Sequence, residues 1–173
     1  MDQEIARAGL DEVSAARRKS AELRGYREIG SIVSAWGAVW LSGFAAQQFL
    51  SERAELVWAF GWLFALGWTF TRPKRASDNR SFASWLIAVS FVVFLLAIIR
   101  PDVRTASMVC AIVLTASYAL LGVWLGRRFL VLAAVVLIFA CIGWWLLPGW
   151  LSLCLAFGGG ASLIVGGFWI RRP

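Results

Sequence analysis

The chain contains no histidine, and none of its ten acidic or seventeen basic residues falls inside an uncharged run long enough to cross a bilayer. The acidic residues are Asp2, Glu4, Asp11, Glu12, Glu22, Glu28, Glu52, Glu55, Asp78 and Asp102, all in termini, loops or the edges of such runs. Ionisable side chains within the membrane are the usual mark of proton relays, ion pathways and voltage sensing, so their absence argues against proton-coupled transport. General acid–base and metal-assisted catalysis also need a titratable or ligating group beside the reacting atom. The chain therefore reads as a non-enzyme with no catalytic residue, metal or cofactor. A catalytic role for a loop carboxylate such as Glu52, Glu55 or Asp102 stays open as the minor alternative.

Other shortages point the same way. There are three cysteines, Cys110, Cys141 and Cys154, with no CxxC spacing and no histidine to complete a metal site. They fall at similar depth in three apolar runs, which would suit a soft metal, but buried free cysteine ordinarily behaves as a small apolar residue. The segment Met1 to Glu28 opens with acidic residues and lacks an apolar core of about 7 to 15 residues, so it does not read as a signal peptide. Insertion by the chain's own apolar spans is the expectation.

What the chain has in quantity is apolar sequence. Hydrophobic residues make up 60% and charged residues 16%, with a mean hydropathy of +0.73. This balance belongs to membrane proteins rather than soluble domains. The longest uncharged run covers 42 residues, Phe129 to Ile170, interrupted by Leu147-Pro148-Gly149-Trp150. At ~1.5 Å per residue a single helix of that length would reach about 63 Å, twice a ~30 Å hydrocarbon core. It must fold back, and Pro148-Gly149 is the expected turn: proline presets φ at the first turn position, and glycine accepts positive φ at the second.

Four further charge-poor runs precede that pair. The predicted fold is an all-α integral membrane protein of six transmembrane helices, at about 29–51, 54–71, 81–99, 105–126, 129–147 and 150–170, arranged as three hairpins. A helical arm at 1–28 precedes them on the cytoplasmic side. The runs are continuously apolar rather than alternating, and too long for barrel strands. Lys and Arg number six before the first run, then one, four, two, two and none in successive loops, and two at the C-terminus, or fourteen on one side against three on the other. The positive-inside rule then places both termini in the cytoplasm of a cell inner membrane. The net charge of +7 is thus mainly a topology signal beside anionic headgroups, and no nucleic-acid motif accompanies it. Arg17, Arg18, Lys19, Arg24, Arg27, Arg72, Lys74 and Arg75 are the residues expected to meet anionic lipid or a cytoplasmic partner.

Eleven tryptophans are far more than ordinary usage supplies. Trp58, Trp144, Trp145 and Trp150 mark the outer interface, and Trp68, Trp85, Trp124 and Trp169 the inner one, in the anchoring role of amphipathic rings. Trp36, Trp40 and Trp62 lie deeper. With Gln47 and Gln48, the two carboxamides within a span, they form the candidate cleft for a lipid tail or apolar ligand. Packing of the indoles in the bundle and solvation of the glutamines at the interface are the simpler readings.

Small residues recur every fourth position: Gly30, Ser34, Ala38, Ser42 and Ala46 in the first run, Ser107, Ala111, Thr115 and Ala119 in the fourth, and Gly158, Ser162 and Gly166 in the sixth. Such rows permit the close backbone approach that drives helix association in lipid. The first row is expected to face another helix, with Trp36, Trp40 and Phe44 directed the other way. The even-numbered runs also end alike, in Gly67 to Arg72, Gly122 to Arg127 and Gly167 to Arg172; aromatic belts and inner arginines account for this without duplication.

Outward loops of about two to five residues leave function to the bundle, the cytoplasmic face or the arm. The favoured reading is a regulatory, sensing or scaffold subunit acting through protein or lipid contacts, as a homo-oligomer or with a cytoplasmic partner. The alternative is a small oligomeric channel or facilitator for an uncharged or apolar solute.

Overall fold

A computed structural model describes residues 29–71 and 78–171, and for 78–86, 88 and 125 the backbone alone. Expectations resting on the 1–28 arm, on Arg17, Arg18, Lys19, Arg24 and Arg27, and on Arg72, Lys74 and Arg75 lie outside the described residues. Within them the chain is all-helical, with no strand. Six helices follow in order: α1 (Ile29–Phe49), α2 (Ala54–Phe70), α3 (Asp78–Ile99), α4 (Val103–Leu125), α5 (Arg127–Leu146) and α6 (Pro148–Arg171). Four of them, α1, α4, α5 and α6, are long and apolar enough to cross a membrane. The 17 residues of α2 reach only about 26 Å, slightly less than a ~30 Å core. In α3 the described apolar stretch is Val89–Ile99.

The turns follow local chemistry. Gly126 alone separates α4 from α5, at φ 117, a conformation that a residue with a Cβ rarely adopts. Asp102 caps α4: its carboxylate accepts from the backbone N–H groups of Arg104 at 3.1 Å and Thr105 at 3.3 Å. The break between α5 and α6 differs from the expected turn. Gly149 does not take positive φ; the chain reverses at Leu147 (φ −129, ψ 62), and Pro148–Trp150 form a 3₁₀ turn that begins α6. Proline there sits at the first helical position, where its missing N–H has no intrahelical partner to lose.

The core lies among α1, α4, α5 and α6, in two layers. One layer joins Val33 of α1 and Tyr118 of α4 to Phe129 and Leu132 of α5 and Leu163 and Ile170 of α6. The other joins Trp40 and Phe44 of α1 to Ala111 of α4, Ala140 of α5, and Leu151 and Leu155 of α6. Apolar side chains gain nothing by leaving lipid for protein, so cohesion here comes from close packing. Helix α6 makes that possible because it presents glycine on two sides. A Cβ at Gly158 or Gly166 would strike Phe139 or Leu132 of α5, and one at Gly160 would meet Leu41 Cα of α1 at 2.5 Å. The α6 turn over Ala156–Ala161 is widened to a π-helix, placing three consecutive glycines between its two neighbours.

Along α1 and α6 the contacts step in opposite directions. Gly30 meets Gly167, Gly37 meets Gly160, and Gln48 Nε2 donates to Gly149 O at 3.3 Å, so the two helices are antiparallel over their full length. Helix α2 runs back along another side of α1, where Gly43 abuts the Trp58 indole and Gly61 abuts Val39. Helix α3 packs on α4 over a short contact.

Candidate functional site

The seam of α1 that meets α6 runs through Gly30, Ser34, Gly37 and Leu41. This corrects the expectation for the row Gly30, Ser34, Ala38, Ser42 and Ala46. Gly30 and Ala46 are buried and Ser34 is half-buried, but Ala38 and Ser42 are exposed. The reason is geometric: steps of four residues overshoot a 3.6-residue turn by about 40°, so the row winds around the helix, whereas alternating steps of four and three stay on one side. The aromatic row is likewise not directed away from the bundle. Trp40 (8% exposed) and Phe44 (3% exposed) are buried in the core, and the Trp40 ring covers Gly159 of α6.

The fourth-helix row does face inward. Ser107, Ala111 and Thr115 are buried, and Ala119 packs on the core layer around Tyr118 and Phe129. In α6, Gly158 and Gly166 lie against α5, and the half-buried Ser162 hydroxyl donates to Gly158 O and, at 3.2 Å, to Gly159 O.

The deep aromatic residues separate into two groups. Trp36 and Trp62 meet edge to face at 4.8 Å between α1 and α2, while Trp40, Phe44 and Trp58 form a chain of edge contacts at 5.2 and 5.0 Å. They do not converge on one cleft. The glutamines bind within the bundle: Gln47 Nε2 donates to Ser107 Oγ at 3.3 Å, tying α1 to α4, and Gln48 ties α1 to the start of α6. Ser107 Oγ in turn donates to Val103 O at 2.8 Å.

A concave feature among the described residues lies elsewhere. A groove of about 530 Å³ runs between α1 and α2, floored by Ala38, Ser42 and Gly61, walled by Leu56, Phe60 and Phe64, and ended by Arg53. Ala38 and Ser42 leave this space open because their side chains are too short to fill it. The Ser42 hydroxyl is turned back onto its own helix, donating to Ala38 O at 2.9 Å and Val39 O at 3.2 Å, so the floor is chemically apolar. Sequence reasoning singled out Ala38 and Ser42 for helix packing and missed the groove; their partners Phe60, Gly61 and Phe64, at three- and four-residue spacing on α2, were the available signal.

Charge is kept to the helix ends. Arg104, in the first turn of α4, donates to Trp144 O at 2.9 Å, and Arg128, in the first turn of α5, donates to Trp169 O at 3.0 Å. Arg171 donates to Gly30 O and Ser34 Oγ, both at 3.3 Å, across the α1–α6 seam. Arg104 and Arg128 thereby reach carbonyls in the last turn of the following helix, groups that the helix itself leaves open. At the opposite end from Arg128 and Arg171, the Thr105 hydroxyl donates to Asp102 at 2.6 Å and holds that carboxyl below its usual range, with the capped N–H groups helping.

Cys110, Cys141 and Cys154 are free thiols, and no three metal-ligating side chains converge among the described residues. The arrangement offers apolar contact surface and a groove with a cation at its end. No protein-family model, curated protein or solved structure matches the chain.

Proposed function

We propose that the chain is a six-span inner-membrane protein that works through protein or lipid contacts, as a regulatory, sensing or scaffold subunit, with both termini in the cytoplasm. The observation that carries this reading is the filled interior of the α1–α4–α5–α6 bundle. Phe129, Val136, Leu155 and Leu163 are fully buried there, and every described Asp, Glu and Arg sits in a loop or an end turn. A close-packed apolar core offers contact surfaces outside rather than a wet path within. The uncharged runs and the fourteen-to-three division of Lys and Arg support six spans, in which the short α2 would be accommodated by local thinning of the bilayer. Anionic headgroups at the inner face, a cytoplasmic protein on the 1–28 arm and a second copy of the chain are the partners this reading implies.

The test sets flux against capture. Purified protein in liposomes should pass glycerol and other small uncharged solutes no faster than empty liposomes do. A cytoplasmic extract passed over the full-length protein should yield a partner that a variant lacking residues 1–16 fails to hold. Solute flux well above the empty-vesicle rate would replace this reading with the facilitator.

A further inference from the structure

The groove between α1 and α2 has the dimensions and the charge placement of a site for one lipid tail. From Arg53 to Phe64 along α2 is eleven residues, about 16 Å at ~1.5 Å each, and one leaflet of a ~30 Å hydrocarbon core is about 15 Å deep. The lining is apolar along its length, and Arg53 closes the end that lies in the α1–α2 connection.

The groups beside that end narrow the headgroup. Glu52 and Glu55 flank Arg53 in sequence, and all three are exposed. A phosphate suits the guanidinium, which offers a planar fork of donors. Two exposed carboxylates within two residues of the one cation in sequence favour a headgroup that also carries an ammonium, and disfavour one that is only anionic. We propose that this groove binds one tail of a phospholipid whose headgroup bears both phosphate and ammonium, phosphatidylethanolamine in chemical class, with the phosphate on Arg53. The proposal rests on the membrane-contact reading above and names the ligand for one face of it.

The experiment uses the full chain in nanodiscs of phosphatidylglycerol doped with phosphatidylethanolamine carrying a diazirine in its tail. After illumination, adducts are mapped by peptide mass spectrometry. Labelling should concentrate on the groove residues between Ala38 and Phe64, above that at Leu120 and Val123, which are exposed on α4 and report ordinary boundary lipid. Arg53→Gln should lower groove labelling at least threefold and leave the α4 labelling unchanged. Ala38→Leu with Ser42→Leu, which fills the floor, should do the same. A diazirine-tailed phosphatidylglycerol probe should label the groove less, and Glu52→Gln with Glu55→Gln should erase that difference.

Groove labelling equal to that on α4 and indifferent to all these variants would overturn the proposal. Loss of labelling on α4 as well would instead contradict the membrane reading on which the proposal stands.

Discussion

Arg104 covers the indole of Trp144, its guanidinium 4.5 Å from the ring centre, while donating to the backbone carbonyl of that same residue. Arg128 repeats the arrangement on Trp169 at 5.5 Å and at the opposite end of the bundle. Each arginine begins one helix and closes the end of the next, so consecutive helices are fastened by a cation, an aromatic face and a free carbonyl together. Arg104 is exposed, which keeps the ring contact near the lower part of the ~0.5–2 kcal/mol range.

Arg104→Ala should therefore destabilise the protein by about 1 kcal/mol, read as a lower melting temperature in detergent, and Arg104→Lys should restore less than half of the loss. In a Trp144→Leu background, the same Arg104→Ala change should lose most of its ring-dependent share. Additive effects of the two substitutions would mean that the ring contact contributes nothing.

The glycine seam makes a sharper prediction. A methyl group at Gly160 would lie 2.5 Å from Leu41 Cα, where the opposing atoms are backbone and have no rotamer to yield. Gly160→Ala should be destabilising by about 1–3 kcal/mol, as overpacking commonly is. Gly149→Ala has nothing within 4 Å and should change stability by less than ~0.5 kcal/mol. Equal melting temperatures for the two variants would contradict the close approach of α1 and α6.

The exposed and buried positions of α1 should part company in the same assay. Trp40→Ala empties a core position and should lower stability by about 3–5 kcal/mol. Ala38→Leu points into the open groove and should be nearly neutral. A larger loss from Ala38→Leu than from Trp40→Ala would reinstate the every-fourth row as the packing face.

The sequence made the helices legible because uncharged runs bounded by arginine leave few alternatives in a bilayer. In α4, Ser107, Ala111 and Thr115 span about two turns and 80° of drift, and all three are buried. The row of α1 extends over four steps, about 160° of accumulated drift, and passes through exposed Ala38 and Ser42 before Ala46 is buried again. The α1–α2 groove depends on which short side chains remain uncovered once α6 has chosen its face. The π turn at Ala156–Ala161 and the reversal at Leu147 were hidden for a related reason: both depend on how α6 fits between α1 and α5 rather than on local propensity. The pairing of Arg104 with Trp144 was concealed by the forty residues between them.

Acid should expose the cap of α4. The Asp102 carboxyl is held below its ordinary value of 3.8, chiefly by the Thr105 hydroxyl. A carboxyl depressed in the folded state contributes stability that is fully present above its unfolded pKa and is lost as pH falls through the folded one. Melting temperatures should thus fall from about pH 4 downward, and Asp102→Asn should remove that part of the fall while retaining a capping side chain. An unchanged pH profile in Asp102→Asn would remove Asp102 from the account of acid sensitivity.

The decisive question is whether α2 and α3 cross the membrane, because six spans and four spans place the loop between them on opposite sides. If only α1, α4, α5 and α6 cross, the C-terminus remains cytoplasmic, and a reporter fused there cannot distinguish the two. A single cysteine at Ser77, introduced after Cys110, Cys141 and Cys154 are replaced, can. Treated in intact cells with a membrane-impermeant maleimide, Ser77→Cys should stay unlabelled until the inner membrane is permeabilised, as expected of a loop bearing Arg72, Lys74, Arg75 and Arg80. Labelling before permeabilisation would place that loop outside, reduce the spans to four, and contradict the six-span account.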